Sequence, residues 1–591
     1  MKHLLLAAAL FGCLTSAAET PWKPAGDRIK TRWAAEVDPA APLPEYPRPT
    51  LVRSRWRNLN GLWNYSLTPA GAAAPGEAQG RILVPFPIES SLSGVQRGVT
   101  PQEALWYETT FEVPAAWRAE VYVNDLLVGS HTGGYTPFSF DITPALSAKG
   151  VQKLTVKVTD STDKGFQPHG KQVLEPHGIW YTPVTGIWQT VWIEPVPAAN
   201  HIAGITTRSD IRAGVLSVDV KTARTGSDRV CVTLSADGKT LAERSSMAGQ
   251  PVHLAVEHPR LWSPDDPYLY DLTVTLVRDG RVIDRAESYA ALREIATGRD
   301  ANGIERMTLN GRPLFHFGPL DQGWWPDGLY TAPTDEALLY DIRFTKQLGF
   351  NMIRKHIKVE PERWYWHCDR EGILVWQDMP SGDMSTGKWE PHRYGAGTDA
   401  ARSEESFANY YKEWGEIMDF CGRHPSVVVW VPYNEAWGQY RAEEVADWTK
   451  RRDPSRLVNP ASGGNYRDCG DMLDLHNYPE PKMYLYDAKR VNVLGEYGGI
   501  GLPVEGHLWS ADKNWGYIEF KTREDVTDRY VTYAEKLMEL VERGFSAAVY
   551  TQTTDVEGEV NGLVTYDREV VKVDVDRLHE VNRRLVRSLD L

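Results

Sequence analysis

Two hydrophobic rhythms divide the chain. Between residues 59 and 192, short runs alternate apolar and polar positions and stop at Gly, Pro, Asn or Asp. Gly61-Leu62-Trp63-Asn64-Tyr65-Ser66-Leu67, Ala119-Glu120-Val121-Tyr122-Val123-Asn124 and Leu154-Thr155-Val156-Lys157-Val158 are examples. Period-two alternation bounded by turn residues predicts half-buried strands of an antiparallel sandwich. Residues 202 to about 295 repeat the style, as in Val215-Leu216-Ser217-Val218-Asp219-Val220 and Tyr270-Asp271-Leu272-Thr273-Val274-Thr275-Leu276. Their span of roughly 95 residues suits an immunoglobulin-like sandwich, with Pro195-Val196-Pro197 as the linker between the two.

Beyond Gly298 the rhythm changes to short apolar runs alternating with helical patterns. The runs at 313–317, 351–356, 373–376, 427–431, 457–459, 473–476, 491–495 and 547–551 read as eight strands. Helices are expected from Pro333-Thr334-Asp335 to Gly349, and over 361–372, 406–423, 525–543 and 575–588, several with a cap residue before them or a glycine after. Eight β/α alternations predict one (β/α)8 TIM barrel, whose active site lies at the C-terminal strand ends. The division is therefore a β-sandwich over 19–197, an immunoglobulin-like sandwich over 198–297 and a barrel over 298–591.

The N-terminus adds a destination. Met1-Lys2-His3 followed by the apolar run 4–14 has the form of a signal peptide, too short to span a bilayer. Ser16-Ala17-Ala18 places cleavage after residue 18, and bulky Phe11 makes Leu10-Phe11-Gly12-Cys13 a poor lipobox. A secreted or periplasmic protein with no membrane span is expected. Cys231, Cys368, Cys421 and Cys469 then remain, without CxxC spacing, and are read as buried free thiols. A net charge of −14 carries no basic stripe for a nucleic acid.

Chemistry is sought just after each apolar strand. Val427-Val428-Val429-Trp430-Val431-Pro432-Tyr433-Asn434-Glu435 puts Glu435 at the mouth after strand four, and Val491-Asn492-Val493-Leu494-Gly495-Glu496 puts Glu496 after strand seven. Strands four and seven face each other across a narrow barrel, so the two carboxylates can converge. Acetal cleavage needs such a pair, one carboxyl protonated and one ionised.

These positions resemble glycoside hydrolase family 2, the β-galactosidase, β-glucuronidase and β-mannosidase family. Leu59-Asn60-Gly61-Leu62-Trp63, Gly133-Gly134-Tyr135 and Thr185-Gly186-Ile187-Trp188-Gln189-Thr190-Val191-Trp192 resemble its jelly-roll-like sugar-binding domain, and Leu261-Trp262-Ser263-Pro264 its middle sandwich. The resemblance implies Glu435 as acid/base, Glu496 as nucleophile, Asn434 on the substrate 2-hydroxyl and Arg354 as the arginine that orients the nucleophile. Tyr478 is a candidate donor to Glu496. Trp325 (with Trp324), Trp376, Trp437 and Trp509 are candidate sugar platforms, and His356, His476, His507, Asp378, Asp555, Glu557 and Gln552 candidate hydroxyl contacts. A glycan substrate, no cofactor, no metal and no metal-spaced His/Asp/Glu cluster beside either Glu are expected. The sugar is open: β-galactoside leads, with β-glucoside, β-mannoside and furanosides behind. Arg354-Lys355-His356-Ile357 departs from the family's Ser-His-Tyr after the arginine, and the Asn-x-Lys clamp of glucuronidases is absent after Glu496. Phe111 runs into Val121 without the extra strand relatives place there, so the sandwich lacks a strand or the chain carries a deletion.

Overall fold

The computed structural model describes residues 21–111, 120–148, 150–381, 388–391 and 393–590. The expected signal segment, 1–18, and the junction at 112–119 where a strand was expected to be missing lie outside the described residues. No described helix is long and apolar enough to cross a membrane. These four cysteines are free, as expected, but only Cys368 and Cys421 are buried, while Cys231 and Cys469 are half-buried.

The first unit is built on a six-stranded antiparallel sheet in spatial order 80–84, 61–69, 103–111, 152–158, 120–123, 126–129. Its inward positions, Trp63, Ile82, Leu105, Tyr107, Val121 and Val156, form one core cluster. The facing layer is slight among the described residues: Arg57–Asn58 pairs with Trp192–Ile193, and irregular chain does the rest. The second unit sets a three-stranded sheet against a four-stranded one. Alternation in Tyr270–Arg278 sends Leu272, Val274 and Leu276 into the shared core while Thr273 and Thr275 face outward. This is the expected immunoglobulin-like arrangement.

The third unit is the barrel. Its strands are β1 (His316–Asp321), β2 (Met352–Lys355), β3 (Leu374–Asp378), β4 (Val427–Val431), β5 (Leu457–Val458), β6 (Met472–His476), β7 (Val491–Gly498) and β8 (Phe545–Thr551). All seven pairings between neighbours are parallel, running β5-β4-β3-β2-β1-β8-β7-β6. The seam between β5 and β6 is closed by Asp471, whose N–H donates to the Val458 carbonyl (2.8 Å) and whose carboxylate accepts from the Val458 N–H (2.7 Å).

Helices α1 (Asp335–Gln347), α2 (Glu362–Glu371), α3 (Glu404–Cys421), α4 (Ala442–Arg452), α5 (Arg523–Glu542) and α6 (Val575–Val586) surround it. Thr334, Ser403, Thr522 and Asp574 cap four of them through side-chain oxygens, each satisfying an orphan first-turn N–H. Two expectations change here. The first strand begins at His316 rather than 313, because Arg312–Pro313 is spent closing a small three-stranded sheet with Glu305–Leu309 and Ile295–Arg299. The alternation is also incomplete: residues 459–471 and 477–490 hold no helix, and both stretches carry prolines that interrupt one.

The barrel's base is plugged by its neighbour. Trp262 of the second sandwich joins the interior cluster of Leu320, Met352, Trp376, Val429, Val493 and Val549, and its indole N–H donates to the Asp369 carbonyl (2.8 Å). Arg293 of the same sandwich bonds the carbonyls of Pro425, Ser455 and Val427 beneath β4 and β5. The upper end of the barrel therefore rests on a base sealed from another domain. Trp262→Ala should cost about 3–5 kcal/mol, the usual penalty for emptying a buried Trp site. Denaturant titration reads it, and a loss below about 1 kcal/mol would show that the barrel does not depend on this ring.

Candidate active site

The site forms where β2, β3, β4, β6 and β7 end. Arg354 at the end of β2 is fully buried, and its guanidinium reaches three other elements. Nε and Nη2 donate to the two Asp378 oxygens (3.0 and 2.9 Å). Nη2 also donates to Asn434 Oδ1 (2.7 Å), and Nη1 to Glu496 Oε1 and the Gly495 carbonyl (3.2 and 3.1 Å). A planar, permanently charged fork is the side chain that can satisfy such a set at once.

Glu496 is 7% exposed, and Tyr478 donates its hydroxyl to the second carboxylate oxygen (2.8 Å). The phenol is itself fixed by Thr551 Oγ1 (2.6 Å) and by stacking on Tyr517 with centroids 3.7 Å apart. Burial pushes the Glu496 carboxyl up, but His476, Arg354, His356 and Lys171 outweigh it and hold the group down at about 2. These charges favour the ionised form of Glu496.

Glu435 keeps 27% of its side chain exposed and has φ +53, a region an ordinary residue enters only when its surroundings impose it. Its N–H donates to the Ser462 carbonyl (2.7 Å). Gly464 lets that loop approach, since a Cβ there would stand 2.4 Å from the Glu435 carbonyl oxygen.

His476, expected as a hydroxyl contact, stands between the two acids. Its Nδ1 lies 3.2 Å from Glu435 Oε1 and 3.5 Å from Glu496 Oε2. Nε2 meets Ser462 Oγ at 2.8 Å, and that hydroxyl donates to Asp474 (2.5 Å). Asn459 Nδ2 and the Gly495 N–H donate to the same carboxylate (2.6 and 2.5 Å); any side chain at 495 would strike it, with a Cβ 2.2 Å from Oδ1. Burial pushes the imidazole down, while Glu496, Glu435 and Asp474 pull it up, and the net shift is upward.

The expectation that no metal-spaced cluster adjoins either Glu is overturned: Glu435, His476 and Glu496 each bring a ligand atom within 4.8 Å of the others. The atom His476 would offer is Nδ1, which the two carboxylates hold toward its protonated form.

Several expected contacts turn out to be supports. Asp378 is fully buried, its oxygens taken by Arg354 and by His356 Nδ1 (2.9 Å), so it orients rather than touches a ligand. Burial and the charges of Lys171 and Arg354 push His356 well below its usual range, and its Nδ1 is engaged with Asp378. Trp376 fills the barrel interior with its indole N–H on His316, because β3 turns that position inward. Trp325 is 2% exposed under the Arg568 guanidinium (3.9 Å), and Trp324 is packed edge-on to Tyr181 and Tyr330. None of these three offers an open face. Asp555 is paired to Lys572 (2.6 Å), Glu557 accepts from the Thr182 N–H (2.8 Å) and His507 meets Asp567 (2.7 Å). Gln552 is locked between Gln322, Glu559 and Asn561. Trp509 is half-buried under Arg28 (4.2 Å). Trp437 is half-buried against Trp180 of the first sandwich (4.7 Å), beside Glu435.

Sequence reasoning missed Asp474, Ser462, Asn459, Lys171, Tyr181 and Glu559. Asp474 left a trace, a charge inside the apolar run Met472-Leu473-Asp474-Leu475. The others sit in loops with no local signal.

Two opposed carboxylates at a barrel mouth, one held ionised and one open to solvent, define a glycoside hydrolase of the two-carboxylate class. The chain belongs to glycosyl hydrolases family 2. Residues 200–293 match that family's sandwich profile, described as Glycosyl hydrolases family 2, and 305–487 match Glycosyl hydrolases family 2, TIM barrel domain. A β-glucuronidase of Paenibacillus borealis is 25% identical over 458 residues, 70% of this chain and 74% of that one. A β-galactosidase of Bacteroides ovatus is 29% identical over 464 residues, 69% of this chain and 50% of that one. Among solved structures, a β-D-glucuronidase of Dictyoglomus thermophilum superposes with TM-score 0.69 at 18% identity, covering 91% of this chain and 98% of its own. A β-galacturonidase of Eisenbergiella tayi bound to galacturonate gives 0.67 at 19%, covering 91% and 99%.

The raised His476 value has a defined pH consequence. A group whose folded pKa exceeds its unfolded value stabilises below that unfolded value, about 6.5, and loses this as pH rises through the folded pKa. The stability gap between wild type and His476→Asn should therefore be larger at about pH 5.5 than at about pH 9. Paired denaturation curves measure it; a gap that widens toward alkaline pH contradicts the sign.

Proposed function

We propose that this chain is a retaining exo-β-glycosidase that removes terminal β-linked sugars by double displacement, with a β-galactoside as the first neutral substrate to assay. The observation that carries the reading is the opposition of Glu435 and Glu496 with oxygens within 4.8 Å. Retaining enzymes hold their carboxyls at about 5–5.5 Å, whereas inverting ones leave room for a water at about 6.5–9.5 Å.

The steps follow from the partners of each group. Glu496, ionised and held by Arg354 and Tyr478, attacks the anomeric carbon, and the glycosidic bond breaks as Glu435 donates its proton to the leaving oxygen. Asn434 has its carbonyl fixed by Arg354, which leaves its amide N–H groups to donate to the sugar 2-hydroxyl as charge develops. Water then enters on the side the aglycone left. Glu435 takes its proton, the hydroxide oxygen bonds to the anomeric carbon, and Glu496 departs as carboxylate. Trp437 and Trp180 stand on the Glu435 side, where a leaving group would rest. The first sandwich walls that side of the mouth, which supports an exo-acting pocket over an open cleft.

Glu496→Gln should lose at least about 1,000-fold in kcat, since a neutral amide cannot form the covalent intermediate. Wild type should release the β-anomer first in proton NMR; an α-anomer as first product sinks the double displacement. A chelator should leave the rate unchanged, and a loss restored by divalent cation would assign the Glu435–His476–Glu496 trio to a metal. Glu435→Ala should spare the first step for a dinitrophenyl glycoside far more than for a disaccharide, and azide should restore turnover. Equal losses on both substrates contradict the acid/base role.

A further inference from the structure

One cation of the site belongs to neither the barrel nor its ion pairs. Residues 169–172 leave the first sandwich and enter the barrel mouth. The His169 and Gly170 N–H groups both donate to the Ser381 carbonyl (3.2 Å each), just beyond β3. Gly170 has φ +65, and a Cβ there would stand 2.6 Å from the Tyr135 hydroxyl, 2.7 Å from the Tyr330 hydroxyl and 3.0 Å from the Ile357 carbonyl oxygen. The turn is therefore wedged against the loop that follows β2, and only glycine fits it.

The next residue is Lys171. Its carbonyl accepts from the Tyr181 N–H (2.9 Å), and its ammonium stands 6.0 Å from the centre of the Tyr181 ring, whose hydroxyl donates to Glu559 (2.7 Å). Lys171 is 7% exposed, yet among the described residues it has no hydrogen-bond acceptor and no carboxylate within 4.0 Å. The other buried lysines are all paired: Lys355 with Asp321 and Glu360, Lys358 with Glu360, Lys572 with Asp555. Its charge nevertheless reaches Glu496, His356 and Glu559. Arg354 is fully spent on Asp378, Asn434 and Glu496.

Among the described residues the Lys171 ammonium has no partner to give up, so an arriving anion can pair with it without breaking another ion pair. We propose that Lys171 is a specificity-determining residue, carried into the barrel mouth by the sandwich domain to bind an anionic substituent, a carboxylate or a sulfate ester, on the terminal sugar. The proposal rests on the glycosidase reading above. Glu435, Glu496 and Glu559 would repel such a sugar, so a site that accepts one needs a cation not already committed to them. A lysine supplies a compact point charge that serves either anion.

The experiment compares kcat/KM for nitrophenyl β-D-glucuronide, β-D-galacturonide and 6-O-sulfo-β-D-galactoside with the neutral β-D-glucoside and β-D-galactoside. Wild type should favour at least one anionic glycoside over its neutral parent, and the arm that wins separates carboxylate from sulfate. Lys171→Met should reduce that preference by roughly 30-fold or more, mainly through KM, as expected for truncating one partner of a buried charge pair. Lys171→Arg should restore part of it. On wild type alone, free uronates should inhibit at lower concentration than galactose or glucose, which keeps the test independent of how the variants fold. Preference for the neutral parents, or equal losses on both classes in Lys171→Met, would overturn the proposal while leaving the glycosidase reading intact. Failure to cleave any of the five glycosides would overturn this proposal, and the glycosidase reading falls with it if the β-mannoside and furanosides are also left intact.

Discussion

The structure of the site depends on one buried guanidinium. Arg354 is the point at which β2, β3, the turn after β4 and the end of β7 are bonded together, through Asp378, Asn434, Glu496 and the Gly495 carbonyl. Burying a charge this deeply is unfavourable unless every donor finds a partner. Here each terminal nitrogen has at least one, and Asp378 is completed by His356. The same satisfied network that makes the charge tolerable fixes the direction of Glu496 and the rotamer of Asn434. Stability and catalytic geometry are one arrangement, and neither can be relaxed without the other.

On the opposite side the barrel gives up regular structure to obtain chemistry. The helices that would follow β5 and β6 are absent, and the chain freed by their loss supplies Asn459 and Ser462 in one segment and Tyr478 in the other. Asp474, Ser462 and His476 form a line of hydrogen bonds that ends on Glu435, with Glu496 3.5 Å from the same His476 nitrogen. Glu435 remains in its left-handed conformation because a neighbouring loop bonds its N–H and presses against its carbonyl. Strain at such a point is sustained only by an over-determined surrounding.

The two sandwiches act on opposite ends of the barrel. The second closes its base with Trp262 and Arg293, removing the cavity that a tilted ring of short strands would otherwise leave. The first reaches the mouth with the turn 169–172, Trp180 and Tyr181. Both acids belong to the barrel, while its mouth is lined in part by a domain that contributes neither.

Much of this was legible along the chain. Alternation of apolar positions revealed the two sandwiches, and apolar runs near the eight strand positions revealed the barrel, because period and side-chain direction are local properties. Glu435 and Glu496 were legible for a related reason: each stands at or just past the C-terminal end of an apolar strand run, where a charge faces the mouth. Local pattern failed where direction depends on neighbours. Trp376 and Asp378 occupy the end of one strand yet point into the closed interior and into an ion pair. His476 carries no mark in sequence that places it between two acids brought from β4 and β7. Lys171 lies far from every catalytic strand in the chain, and only the docking of one domain on another brings its charge to the pocket. Sequence determined the elements and the two acids, since these follow from short-range sterics and burial. Tertiary structure alone decided which charges meet, since electrostatics acts through space and is indifferent to separation along the chain.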